Sequence, residues 1–129
     1  MARGELFPIV ACTNIPRAIA FYQAVLGAAL SYRFPAEGEP AFVTLKLGSS
    51  TIGLGDGNKP TAYGATPLPS TGYPIDLCIY VDDLDATFER APQHGGAVIK
   101  PAEDMPWGEH AGWICDPEGV MILVIRADA

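Results

Sequence analysis

The chain reads as an α+β protein made of two βαβββ modules, with the helices outside a common concave sheet surface. Three observations lead there. Short apolar runs of strand length alternate with two longer runs of helical spacing. The pattern of the first half returns in the second at a constant offset of 69 residues. A stretch without periodicity, rich in Pro and Gly, separates the halves.

In chain order, Leu6 to Cys12 is an apolar strand. Asn14 caps a helix, and Pro16 is tolerated in its first turn. Ile15, Ala18, Ile19, Tyr22, Val25 and Leu26 then share one helical face, and Gly27 stops the helix. Leu30 to Phe34 is a strand, and Pro35 to Pro40 a turn-rich connector. Phe42 to Leu47 alternates, with Val43, Leu45 and Leu47 on one face and Phe42, Thr44 and Lys46 on the other. A turn at Gly48-Ser49-Ser50 leads to a short strand, Thr51 to Gly55.

Asn58 to Pro74 carries four prolines and no periodicity, and reads as a linker or a partial lid. The pattern then repeats. Ile75 to Val81 is a strand, Asp82 or Asp83 caps a helix carrying Leu84, Thr87, Phe88 and Ala91, Pro92 should end or kink it near Ala91, and Gly95-Gly96 finish the stop. Ala97 to Lys100 is a strand and Pro101 to Pro106 a loop. The last hairpin turns at Asp116-Pro117-Glu118-Gly119 between apolar runs ending at Cys115 and starting at Val120. The first repeat covers about 5–57, the linker 58–74 and the second repeat about 75–127, within a single domain.

The offset aligns Asn14 with Asp83, Ile15 with Leu84, Ile19 with Phe88, Gly27 with Gly96 and Leu54 with Leu123. Agreement across cap, buried face and stop points to an internal duplication.

Bulk composition narrows the function. Of 129 residues, 49% are hydrophobic and 18% charged, enough apolar material for a packed core. The net charge of -7 argues against nucleic acid, since little here neutralises a run of phosphates. No apolar run reaches membrane-spanning length, and MARGELFPIV has none long enough for a signal peptide, so the expectation is a cytoplasmic protein. Cys12, Cys78 and Cys115 lie singly in apolar runs and read as small buried hydrophobes in a reducing compartment.

Ile15-Pro16-Arg17-Ala18-Ile19-Ala20-Phe21-Tyr22 with Leu26-Gly27, Val81-Asp82-Asp83-Leu84-Asp85, and Trp107-Gly108-Glu109 through Asp116-Pro117-Glu118-Gly119 form a recognisable set. In these segments the chain resembles the vicinal oxygen chelate superfamily, also called the glyoxalase / bleomycin resistance / dioxygenase family. The resemblance implies paired βαβββ modules forming a U-shaped mixed sheet, a cavity holding metal or ligand, and a homodimer. In metal-dependent members, four inward strand positions supply His and Glu ligands. Here those positions fall at Phe7, about Gly53, Asp76 and Leu123. Three of the four carry no donor, and one carboxylate does not hold a divalent ion. The expectation is therefore no metal in that site, no cofactor and no assigned catalytic residue.

A small organic ligand is the expected partner. Phe7 and Leu123 make the cavity floor apolar, Phe42 and Tyr80 face inward, Met121 and Ile125 flank Leu123, and Trp107 stands at the rim. Asp76 and His110 are the polar candidates. Asp76 either accepts from a ligand, pairs with His110 or Lys46, or sits at a solvated strand end. Trp113 has no assigned face. Members lacking metal ligands are similar to antibiotic-binding resistance proteins, which implies a binder of a planar, aromatic molecule. The alternative is a lyase, isomerase or dioxygenase, either metal-dependent or using Asp76 or His110 as general base.

Overall fold

The computed structural model describes residues 3–58 and 75–128, so the linker, including Tyr63, lies almost wholly outside the described residues. The elements run β1 (Ile9–Cys12), α1 (Ile15–Leu26), β2 (Ala29–Phe34), β3 (Phe42–Leu47) and β4 (Ser50–Asp56). They repeat as β5 (Leu77–Val81), α2 (Leu84–Gln93), β6 (Ala97–Asp104), β7 (His110–Cys115) and β8 (Met121–Arg126). The expected α+β class and the two βαβββ modules are both present. Each module is a mixed four-stranded sheet, ordered β1-β4-β3-β2 and β5-β8-β7-β6. In each, the first and last strands pair in parallel and the other pairs are antiparallel. No helix among the described residues is long and apolar enough to cross a membrane.

The duplication is visible in the caps. The Asn14 side chain accepts from the Arg17 amide and the Asp83 side chain from the Ala86 amide, each at 3.0 Å. Each cap satisfies a first-turn N–H that has no partner within the helix. Gly27 ends α1 in the left-handed region at φ 71°. In the second half that conformation falls to Gly95 at φ 88°, one residue earlier than the offset requires. Gly96 has a different duty: a Cβ there would stand 2.4 Å from the Cys115 carbonyl oxygen and 2.5 Å from the Phe21 ring.

Several expectations are corrected. Helix α2 ends close to Ala91, as expected, but runs through Pro92 to Gln93. In a last turn, proline forfeits only its own N–H bond, and the amides of His94 and Gly96 both return to the Ala91 carbonyl. Strand β6 continues past Lys100 to Asp104 instead of becoming a loop at Pro101. It is an edge strand, where proline is tolerated, and its register shifts between Lys100 and Glu103. Cys12 is buried, but Cys78 is exposed and Cys115 only partly covered.

The alignment of Leu54 with Leu123 is also corrected. Leu54 is fully buried in the main core, whereas Leu123 packs in a separate cluster with Met105, Ala111, Trp113 and Ile125. The residues equivalent to Ile52 and Leu54 are Ile122 and Val124, which lie in the same core. The offset in the last strand is therefore 70, and a shift of one residue turns a strand side chain to the other face.

That main core joins the halves. Val43, Leu45, Ile52 and Leu54 of the first sheet and Ile114, Ile122 and Val124 of the second bury into one cluster with Phe21, Tyr22 and Val25 of α1 and Leu84 and Ala91 of α2. Both sheets thus turn their helix-bearing faces to a shared interior, and their other faces point away from it.

A polar clamp fastens the modules. Asp116, 2% exposed, accepts the Tyr22 hydroxyl on Oδ2 at 2.7 Å and the amides of Glu118 and Val120 on Oδ1 at 2.8 and 2.9 Å. Burial pushes the Asp116 carboxyl up, and these three donors oppose that rise. Burial, then the neighbouring carboxylate, drives the Tyr22 hydroxyl well above the usual phenol range, so it remains a donor. Beside it, Glu118 accepts from the Thr13 amide at 2.9 Å and from Arg17 at 3.3 Å.

Tyr22→Phe removes one donor and leaves a buried carboxylate under-satisfied. We expect a loss of about 1–3 kcal/mol, read as a lower urea midpoint with an unchanged slope. An unchanged midpoint would show that the clamp adds nothing to stability.

Candidate functional site

Each sheet has an open face opposite its helix. Strand alternation assigns Phe42, Thr44 and Lys46 of β3 to the first, since Val43 and Leu45 enter the core. In β4 the same face carries Gly53 and Gly55. A Cβ on Gly53 would come within 3.0 Å of Ile9, 3.1 Å of Phe42 and 3.2 Å of Phe7. Three apolar side chains therefore close over a position that only glycine leaves vacant. Across the ladder, Tyr32 pairs with Thr44 and Phe34 with Phe42, and the Tyr32 and Phe42 rings lie 6.3 Å apart. Ile9, Tyr32 and Phe34 are all more than half exposed.

The second open face is built differently. Gly112 meets the Phe88 ring of α2, so Ala111 and Trp113 point the opposite way. Register places Trp113 beside Leu123, Leu123 beside Cys78 and Ala111 beside Ile125. The Trp113 indole N–H reaches over this floor to Asp76 Oδ2 at 3.2 Å. At one end, the turn from Met105 to Glu109 is closed by the Met105 amide on the Glu109 carbonyl at 2.8 Å, with Gly108 at φ 100°. The turn projects Trp107, whose indole N–H donates to Glu109 Oε1 at 2.8 Å. Interaction with the same carboxylate pushes the titration of the Tyr80 hydroxyl up. Burial, then Glu109, then Asp76 push the Cys78 thiol up as well.

The candidates named from sequence are distributed accordingly. Phe7 and Phe42 lie on the first open face, and Asp76, Tyr80 and Leu123 on the second, with Trp107 at its rim. Phe42 and Tyr80 therefore do not share a surface within one chain. His110 joins neither face. It has the strand parity of Gly112 and Ile114, toward α2, and its Nδ1 lies 2.9 Å from Asp104 Oδ1. Sequence reasoning missed Glu109 as a site residue and left Trp113 unplaced. The hairpin register was the usable signal: counting back from the Asp116 turn sets Trp113 opposite Leu123.

The four positions that the family resemblance marks for metal ligands, Phe7, Gly53, Asp76 and Leu123, carry a phenyl ring, a hydrogen, one carboxylate and an isobutyl group. These do not fit a divalent ion, and no group of three or more His, Cys, Asp or Glu gathers among the described residues.

Comparison with known proteins agrees with this architecture. A family model described as the Glyoxalase/Bleomycin resistance protein/Dioxygenase superfamily matches residues 7–124. An uncharacterised protein of Mycobacterium bovis is 30% identical over 117 residues, 88% of this chain and 77% of that protein. The crystal structure of TioX from Micromonospora sp. ML1 superposes with a TM-score of 0.74 at 25% identity, covering 95% of this chain and 98% of that one. A glyoxalase-related enzyme from Fulvimarina pelagi superposes at 0.78 and 18% identity over 98% and 89% of the two chains, a likeness of fold.

Trp107 and Trp113 are the two tryptophans, so Trp107→Phe leaves Trp113 alone to report on the second face. In that background Asp76→Ala frees the Trp113 indole. We expect steeper acrylamide quenching and a changed emission maximum; identical spectra would show that the Asp76 bond does not hold the ring.

Proposed function

The chain belongs to the glyoxalase/bleomycin resistance protein/dioxygenase superfamily, and from that premise we propose that it is a metal-free binder of a flat organic molecule, working as a homodimer. The observation that carries this reading is the content of the four metal positions. Phe7, Gly53 and Leu123 offer no donor atom, while the surfaces around them are rich in aromatic rings. Phe7 and Phe42 on one face and Tyr80, Trp107 and Trp113 on the other suit stacking against a planar guest. Aromatic pairs add about 0.5–1.5 kcal/mol each beyond area burial. Asp76 and Glu109 are the polar groups beside the rings.

The dimer follows from the direction of the faces. In metal-binding relatives the four positions surround one ion. Here Phe7 and Gly53 belong to the first sheet, and Asp76 and Leu123 to the second. The opposite sides of both sheets bury the same core, so the open faces of one chain diverge. A second copy brings the first sheet of one protomer over the second sheet of the other. That arrangement covers Ile9, Tyr32, Phe34 and Tyr80, large side chains that are otherwise exposed. Members similar in lacking metal ligands are antibiotic-binding resistance proteins, and sequestration of a drug-like molecule in the cytoplasm is the corresponding role.

Titrating planar aromatic compounds against tryptophan emission tests the binding. We expect saturable quenching by at least one, weakened by about tenfold or more in Trp107→Ala. Absence of quenching by all compounds would refute the reading, as would stoichiometric nickel, zinc, iron or manganese in unsupplemented protein. For assembly, analytical ultracentrifugation should give twice the 13.7 kDa chain mass. A monomer that still binds would overturn the shared cavity.

A further inference from the structure

We propose that the guest taken at the second open face is a planar organic cation, and that Glu109 is the residue selecting for its charge; this rests on the ligand-binding reading above. One carboxylate fixes an aromatic side chain there and acts on a second. Glu109 Oε1 accepts the Trp107 indole N–H at 2.8 Å, and the same carboxylate pushes the titration of the Tyr80 hydroxyl up. The two rings are 54% and 58% exposed, which leaves area free for contact. A carboxylate has about four acceptor sites, so one indole donor does not saturate it.

Asp76 repeats the arrangement on the same face by holding the Trp113 indole at 3.2 Å. Both acids act on the Cys78 thiol, which lies on the strand residue beside Leu123. The two carboxylates therefore flank one apolar floor. When an indole N–H or phenol O–H is turned to an acid, the electron-rich ring face remains for a guest. Such faces attract a cation by about 0.5–2 kcal/mol, more when water is excluded. The cationic side chain nearest in register is Lys100, opposite Trp113, and it is engaged by Glu103 at 2.9 Å.

The three charge types of guest fare differently on this face. An anion meets two carboxylates and a lysine already paired. A neutral ring stacks but leaves the carboxylates unused. A flat cation uses both the ring faces and the acids. Glu109 is the stronger determinant, because it holds the more exposed of the two indoles, acts electrostatically on Tyr80, and stands at the rim where a guest enters.

Proflavine, a planar cation, and acridone, a neutral ring system of similar size, are suitable probes for the full chain at near-physiological salt. We expect proflavine to bind at least about tenfold more tightly than acridone. Glu109→Gln keeps an acceptor for the indole and removes the charge; it should erase most of that preference by weakening proflavine alone. Glu89→Gln removes an equal charge on α2 and should leave the preference intact, which separates local selection from attraction by net charge. Equal affinity for both probes in the wild type would overturn cation selection while leaving the binding function standing. A preference that survives Glu109→Gln, or falls equally in Glu89→Gln, would overturn the role of Glu109. Binding of neither probe nor any other flat compound would remove both readings together.

Discussion

The hydrogen bond between Tyr22 and Asp116 is the interaction on which the arrangement of the two halves depends. It joins the first helix to the last hairpin, 94 residues away, within a fully covered environment. An unpaired buried carboxylate is expensive, so Asp116 requires all its donors at once. Those donors come from its own turn, through the Glu118 and Val120 amides, and from the other module, through Tyr22. The hairpin turn is thus complete only when the first helix is docked. Around it, Glu118 reaches Thr13 and Arg17, and Pro117 packs near Gly95. This explains why the Phe21-Tyr22 and Asp116-Pro117-Glu118-Gly119 motifs, distant in sequence, occur together: they are the two sides of one joint.

Fixing the joint decides what becomes of the open faces. Two amphipathic sheets that share one core through their helix-bearing sides have their remaining sides directed outward. The first presents rings closed over Gly53, and the second presents two indoles tied to acids. The clamp that stabilises the chain therefore also sets the directions in which the two faces point.

Much of this was legible from residue pattern because local chemistry determined it. Asn14 and Asp83 cap helices through their own side chains, and helical spacing marked Ile15, Ala18 and Val25 as core. Face assignment was less legible. The 69-residue offset holds for the helix starts but slips to 70 in the last strand, so Leu123 looked like the partner of a core leucine when it belongs to the open side. His110 is a polar cavity candidate by sequence, but one step along a strand reverses the side, and Asp104 holds it. Trp113 could have been placed by counting from the turn. The bond from Trp107 to Glu109 could not, because it depends on how the Met105–Glu109 turn closes.

The contrast between the two sides of the duplicated sheet has a physical origin. On the helix side, Ile52 and Leu54 answer to Ile122 and Val124: both pairs are apolar because both enter one interior that tolerates little change in volume or polarity. On the open side, the corresponding positions are Gly53 and Leu123, and the strand positions before them are Phe7 and Asp76. These residues stay out of the shared interior and answer to local neighbours instead, Gly53 to Ile9, Phe42 and Phe7 and Leu123 to Met105, Ala111 and Ile125, so the two repeats differ there. The lone chain leaves Ile9, Tyr32, Phe34, Tyr80 and Trp107 exposed, a load of apolar surface uncommon for a module whose stability is already secured elsewhere. Those side chains are the surface that the proposed guest and second protomer would cover.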